Sequence, residues 1–129
     1  MPRVSAAFFA TGVLCIFAGG AIGIFMARTG HTDLVALHVH LNLVGWATMA
    51  LCGTFYALTE KTMIVRLAWI NYVVFLAALL LTFPAFATIL IRGGSHTLEM
   101  ILQAGNGMTA LGMVIFAFSV FRELFRRRA

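Results

Sequence analysis

Charged residues are scarce in this chain, and four long stretches contain none. Asp, Glu, Lys and Arg make up 10% of the 129 residues, and none occurs in residues 4–27, 34–59, 67–91 or 100–121. Each stretch exceeds the roughly 20 residues that an α-helix needs to cross about 30 Å of hydrocarbon. Hydrophobic residues make up 62% of the chain, which is more than a soluble domain of this length can bury. The sequence therefore predicts an integral membrane protein.

Acidic residues and cysteines are also few, and their positions exclude two classes of protein. All four acids stand at the ends of the uncharged stretches: Asp33, Glu60, Glu99 and Glu123. Paired carboxylates for hydrolytic chemistry are therefore missing. Cys15 and Cys52 each lie inside an apolar run. This position favours a packing role and argues against a disulfide framework.

The four uncharged stretches predict the fold. Backbone N–H and C=O groups in lipid must be satisfied within the segment, which favours helices over strands. We therefore expect an all-α, integral membrane bundle of four transmembrane helices, at about residues 5–28, 33–59, 64–91 and 96–125. The whole chain, residues 1–129, forms one domain.

The distribution of Lys and Arg predicts the orientation. The two connections that follow the first and third stretches hold only Arg28 and Arg92. The termini and the middle connection hold the other seven cations: Arg3, Lys61, Arg66, Arg122, Arg126, Arg127 and Arg128. This asymmetry predicts that both termini are cytoplasmic in a bacterial-type inner membrane, with all four histidines on the periplasmic side. We expect the C-terminal cations to face anionic lipid headgroups, and the net charge of +5 does not indicate a nucleic-acid partner.

Small and polar residues inside the stretches suggest helix contacts. Gly19 and Gly23 form a small-xxx-small face, which predicts either a seam between copies or close packing within one chain. Gln103 and Asn106 are carboxamides at membrane depth in the fourth stretch. Such side chains usually hydrogen-bond across helices or line a cavity. We favour the structural role for this pair over a functional contact.

The strongest functional signal is a pair of histidines at the start of the second stretch. His38 and His40 are two residues apart, so on an α-helix they point about 200° apart and cannot bind one ion together. They can serve two sites on opposite flanks, and neutral imidazole is a good axial ligand for heme iron. On the His38 flank, Asn42 lies one turn below and Gly45 two turns below, where a ring edge could lie. The alternative is that both histidines hydrogen-bond to headgroups or loop carbonyls.

A longer pattern surrounds this pair and resembles a known family. His38-Val39-His40 is followed by Gly45-Trp46, Gly53, Phe55-Tyr56 and Leu58. This run resembles the tenth transmembrane helix of heme–copper oxidase subunit I, most nearly in the C-type oxidases and nitric oxide reductases. The likeness continues without a gap from His38 to Leu58 and covers one predicted helix of the four.

The resemblance implies a cofactor and roles for particular residues. In the family, the first histidine binds the high-spin heme and the second binds the low-spin heme, which makes His38 and His40 candidate iron ligands. Arginines after the family's next helix hold the heme propionates, which suggests that role for Arg92. The chain resembles only the last four-helix arc of subunit I. It lacks the helix with the copper-binding histidines and the motif for the covalent His–Tyr pair. The resemblance therefore implies no copper and does not support oxygen reduction at a heme–copper centre.

A short chain of this kind can complete a heme site by self-association. In a closed ring, each groove between copies receives His38 from one protomer and His40 from its neighbour. We expect a homotrimer, with a dimer as the alternative, that holds about one heme b per protomer for electron transfer or for a redox role with a diatomic gas (NO or O2). The competing hypothesis is a non-enzymatic assembly or regulatory subunit with a transient heme or copper site. The redox partner and the turnover of any substrate stay open.

Overall fold

The chain folds into four long helices, as the uncharged stretches predict. The computed structural model describes residues 1–126, and within that range it contains no strand. The described helices are α1 (Arg3–Thr29), α2 (Val35–Leu58), α3 (Val65–Arg92) and α4 (His96–Phe125). Each is long and apolar enough to cross a membrane. The all-α prediction is confirmed for these residues. Arg127 and Arg128, which belong to the predicted basic cluster, lie outside them.

Local chemistry sets two of the helix ends. α1 ends at Gly30, which has a φ of 71° and donates its N–H to the carbonyl of Met26. Because this left-handed conformation is strained for residues with a Cβ, glycine is the natural residue there. At the start of α4, the Ser95 hydroxyl accepts a hydrogen bond of 3.3 Å from the N–H of Leu98. This N-cap satisfies one of the free donors in the first helical turn.

Helix α2 is not a regular α-helix. Its first part, Val35–His40, and its last part, Met49–Leu58, are α-helical, whereas Leu41–Thr48 is π-helical. Buried residues recur at every fourth position of α2: Leu37, Leu41, Gly45, Met49 and Gly53. In a pure α-helix such a pattern would drift by about 40° per step around the axis. The wider π turns offset part of this drift, so α2 keeps one face against its neighbour.

That neighbour is α1, and glycines let the two helices approach closely. A Cβ built on Gly12 would lie 3.1 Å from the indole of Trp46 in α2. A Cβ on Gly53 of α2 would lie 3.1 Å from the Cβ of Phe8. Glycines on both helices therefore form the contact, as small residues do between helices in lipid.

The bundle is closed at one end by a buried polar cluster. We call this the terminal end, because it contains Arg3, the Leu58–Val65 connection and Phe125. There the Tyr56 hydroxyl donates to Oδ1 of Asn71 and contacts Oγ of Ser119, both at 3.2 Å. Asn71 Nδ2 donates to the carbonyl of Gly112 at 2.7 Å. The cluster thus connects α2, α3 and α4. Stacked and edge-on aromatic rings surround it: Phe8, Phe55, Tyr72, Phe75 and Phe116.

Candidate histidine site

His38 and His40 lie at the opposite end of the bundle, the histidine end, and they contact different helices. Nδ1 of His38 lies 2.8 Å from the carbonyl oxygen of Gly19 in α1. The ring of His40 packs edge-on against Phe86 of α3, with ring centroids 5.3 Å apart. The two imidazoles therefore serve separate environments on the two flanks of α2.

His40 has the geometry of an available metal ligand. Its Nδ1 lies 2.9 Å from the carbonyl oxygen of Ala36, one turn earlier in the same helix. A carbonyl only accepts, so in this bond Nδ1 carries the proton and Nε2 of the neutral ring keeps its lone pair. Within residues 1–126 no group hydrogen-bonds to that Nε2, and the side chain is exposed. Metal-binding histidines typically have their second ring nitrogen anchored in this way.

His40 opens onto a cavity between three helices. The cavity has a volume of about 180 Å³, and its walls come from α2, α3 and α4: His40, Val44, Leu79, Thr82, Phe83, Asn106 and Thr109. The Thr82 hydroxyl oxygen is buried and has no hydrogen-bond partner within the described residues. The same helices that meet at Tyr56 on the terminal end thus leave space at the histidine end. The cavity combines an apolar wall with a few polar groups, as ligand pockets do.

His38, in contrast, is held at both ring nitrogens. Its Nδ1 donates to the carbonyl of Gly19, and its Nε2 accepts from Nδ2 of Asn42 at 3.1 Å. The ring fits against α1 because Gly23 has no side chain: a Cβ there would lie 3.0 Å from Cε1 of His38. The small-xxx-small face of α1 therefore packs within the chain at Gly19 and Gly23, whereas Gly20 faces open space. This outcome favours the packing role over the seam for those two glycines.

Gly45 does not provide room for a ring edge. A Cβ built on it would lie 2.7 Å from Cβ and 2.8 Å from Sγ of Cys15 in α1. The space beside this glycine is already filled by Cys15, which corrects the interpretation of Gly45 as a cofactor contact. Its role in the described chain is to admit α1. Asn42, the other residue on this flank, hydrogen-bonds to Nε2 of His38 through its side-chain amide.

The remaining polar candidates lie at the surface. Arg92 is the last residue of α3 and is exposed, as are His31 and His96. Gln103 and Asn106 are exposed on α4, and neither donates to or accepts from another described side chain. The expected hydrogen bonds across helices are therefore not made by these two carboxamides within one chain.

The surroundings of His40 fit a heme better than those of His38. His38 contacts α1 and His40 contacts α3, so this chain offers one imidazole to each site. No group of three or more His, Cys, Asp or Glu that could hold a metal ion occurs in residues 1–126. The His40 imidazole fits an iron ligand, because its Nε2 has no hydrogen-bond partner within residues 1–126 and the residue lines the cavity. The cavity is smaller than the roughly 300–1,000 Å³ of sites that enclose a small molecule. A tetrapyrrole would therefore extend beyond it, toward lipid or a second chain. His38 fits only if the Asn42 amide leaves Nε2.

Sequence reasoning missed the threonines and the phenylalanine of the cavity. Thr82 and Phe83 belong to the third uncharged stretch and Thr109 to the fourth, where nothing in the pattern separates them from ordinary packing residues. The one partial indication in the sequence is Gly105, which lies opposite Thr82 in the structure; a Cβ there would collide with the threonine hydroxyl.

Comparisons with protein-family models, with curated proteins and with solved structures found no match.

Proposed function

We propose that this chain is a heme b-binding membrane protein in which His40 is an axial ligand. The observation that carries the proposal is the His40 imidazole. It is anchored through Nδ1 to the carbonyl of Ala36, its Nε2 has no hydrogen-bond partner within residues 1–126, and the residue lines a cavity between three apolar helices. A neutral, anchored imidazole in a surrounding of low polarity is what heme iron takes as a ligand. Residues 38–58 resemble the tenth helix of heme–copper oxidase subunit I, and this resemblance is consistent with the proposal.

The second axial ligand in this proposal is His38 of a neighbouring copy. His38 and His40 lie on opposite flanks of α2, so one chain offers one imidazole to each of two grooves. Heme supplies one-electron redox chemistry when bound. With both axial positions filled it suits electron transfer, and with one open it can bind a diatomic gas such as NO or O2. The function is therefore electron transfer or a redox role linked to such a gas.

The uncovered face of α4 supports self-association. Gln103 and Asn106 are exposed there, and Asn106 also borders the His40 cavity. Carboxamides in hydrocarbon are costly unless a partner accepts and donates hydrogen bonds. A second copy at this face would satisfy them and cover the open side of the cavity. We propose a homotrimer, because a closed ring matches the two opposed histidines, and a dimer is the alternative.

The orientation also belongs to the proposal. The excess of Lys and Arg at the terminal end favours a cytoplasmic location for both chain ends, with the histidine end at the periplasmic face of a bacterial-type inner membrane. Arg92 is exposed at the histidine end, where a guanidinium could hold a propionate.

A second function is favoured by one observation, the complete pairing of His38. Since both of its ring nitrogens are hydrogen-bonded within the chain, His38 has a structural role that needs no iron. In this alternative the chain is an assembly or regulatory subunit, and His40 alone forms a transient heme or copper site.

Spectroscopy of the purified protein separates the two functions. We expect a b-type reduced-minus-oxidised spectrum and about one heme per chain. His40→Ala should abolish the low-spin signal, because it removes the available ligand. His96→Ala is the matched control, since this exposed histidine borders neither His38 nor the cavity, and it should leave the spectrum unchanged. A colourless, folded protein that does not take up added hemin would refute the heme proposal. A normal bis-histidine spectrum in His40→Ala would remove His40 from the ligands.

A further inference from the structure

We propose that Asn42 controls access to His38, because its side-chain amide occupies the nitrogen with which His38 would bind heme iron. The proposal rests on the proposed heme function and adds a regulation of the same site. Asn42 is then a positioning residue, because it contacts the imidazole of His38 and not the heme. The same chain would hold one histidine available, His40, and one histidine capped, His38.

The contacts of His38 define the cap. Nδ1 lies 2.8 Å from the Gly19 carbonyl oxygen, which can only accept, so Nδ1 carries the ring proton. Nε2 of the neutral ring is then an acceptor, and Nδ2 of Asn42 donates to it at 3.1 Å. An imidazole binds iron through that same lone pair. The hydrogen bond from Asn42 and a bond to iron therefore exclude each other.

The packing of Asn42 makes the cap releasable. Its Oδ1 is buried without a hydrogen-bond partner in the described part of the chain. The amide lies against Gly19, where a Cβ would collide with Oδ1. The amide is thus held toward His38 by a single hydrogen bond and by the space that Gly19 leaves open. Turning it away breaks that one bond and gives Oδ1 the chance to find a donor.

His40 provides an internal comparison. It has the same anchor as His38, a bond from Nδ1 to a backbone carbonyl, but no residue within 1–126 caps its Nε2. No carboxamide stands one turn beyond it, because that position is Val44. The two histidines of one helix therefore differ in the state of Nε2, and this difference predicts that His40 takes a ligand first.

Chemical labelling of heme-free protein tests the cap without a cofactor. Diethyl pyrocarbonate acylates unprotonated imidazole nitrogen, and mass spectrometry gives the rate at each histidine. In the wild-type protein in detergent we expect His38 to react at least about tenfold more slowly than His40. In Asn42→Leu, which keeps the branched shape of the side chain and removes the donor, the His38 rate should rise about tenfold, the factor that one lost hydrogen bond corresponds to. The His40 rate should stay unchanged, and circular dichroism and size-exclusion chromatography in the same detergent show whether the variant is folded.

Several results would overturn the cap. Equal labelling of His38 and His40 in the wild-type protein would do so without any variant. An unchanged His38 rate in Asn42→Leu, with an unchanged His40 rate, would do so as well. If Asn42→Leu does not fold, Gly19→Ala serves as the second variant, because its methyl group displaces Oδ1 and should turn the amide away from His38. A Gly19→Ala protein with wild-type His38 labelling would contradict the proposal.

A hemin titration of the same proteins separates this inference from the heme function. We expect Asn42→Leu to reach the low-spin spectrum at less added hemin than the wild-type protein. If no variant binds hemin, the heme function fails, whereas the labelling result still decides whether Asn42 caps His38. If hemin binds but Asn42→Leu and wild type give the same low-spin fraction and the same His38 labelling, the cap fails and the heme function stands.

Discussion

The buried cluster at the terminal end makes a quantitative prediction about stability. Asn71 is fully buried, accepts a hydrogen bond from the Tyr56 hydroxyl and donates one to the carbonyl of Gly112. Asn71→Leu keeps the branched shape of the side chain and removes both bonds, which join α3 to α2 and to α4. The variant should therefore weaken the packing of α2, α3 and α4 against one another at the terminal end.

The magnitude follows from the value of such bonds in membrane proteins. Interhelical side-chain hydrogen bonds contribute about 0.6 kcal/mol on average and about 1.7 kcal/mol at most. Two lost bonds give a loss of about 1.2 kcal/mol in the free energy of unfolding, with an upper limit of roughly 3.4 kcal/mol. The Gly112 carbonyl is left without its partner, which moves the expected value toward the upper part of this range.

Equilibrium unfolding in mixed micelles with increasing dodecyl sulfate measures this change. Thr54→Val is the matched control, because the Thr54 hydroxyl is exposed and donates only to the carbonyl of Ala50 in its own helix at 2.8 Å. We expect the control to change the free energy of unfolding by less than about 0.5 kcal/mol.

A double-mutant cycle checks the mechanism. Tyr56→Phe removes the hydroxyl that donates to Asn71, so its effect and that of Asn71→Leu should be less than additive by about 0.5 kcal/mol or more. If Asn71→Leu is no more destabilising than Thr54→Val, or if the two cluster variants are strictly additive, the cluster does not hold the helices as described.

Three further changes test the helix faces and the surface charge. Gly45→Ala should destabilise the fold by about 1–3 kcal/mol, because its methyl group meets Cys15, whereas Gly20→Ala, which meets nothing within 4 Å, should leave stability unchanged or raise it by up to ~1 kcal/mol in the same unfolding assay. The double variant Gln103→Leu and Asn106→Leu should shift the protein toward monomer in light scattering if these carboxamides join copies. An unchanged mass would remove this face from the interface. If the chain binds heme as proposed, Arg92→Gln should lower the midpoint potential of that heme by roughly 40 mV, the one-electron equivalent of about 1 kcal/mol, since a cation near a propionate favours the reduced form. An unchanged potential would place the guanidinium away from the heme.

The helices and their approximate bounds are contained in the sequence. Four gaps between charged residues are long enough to span hydrocarbon, and lipid-compatible backbone in such gaps is helical. The opposed directions of His38 and His40 also follow from the sequence, because residues two apart on a helix point to opposite sides. Both properties depend on local geometry, which residues close in the chain specify.

The anchoring of His38 was decided by tertiary packing. The Gly19 carbonyl that accepts from its Nδ1 lies on another helix, which no local rule reveals, whereas the Asn42 amide at its Nε2 comes from the next turn of α2. The same holds for Gly45, where an apparent vacancy is filled by Cys15. A glycine in a sequence marks missing volume, but only the neighbouring helix determines what fills it. The π-helical segment of α2 is likewise set by the need to keep one face on α1, which is a contact between distant parts of the chain.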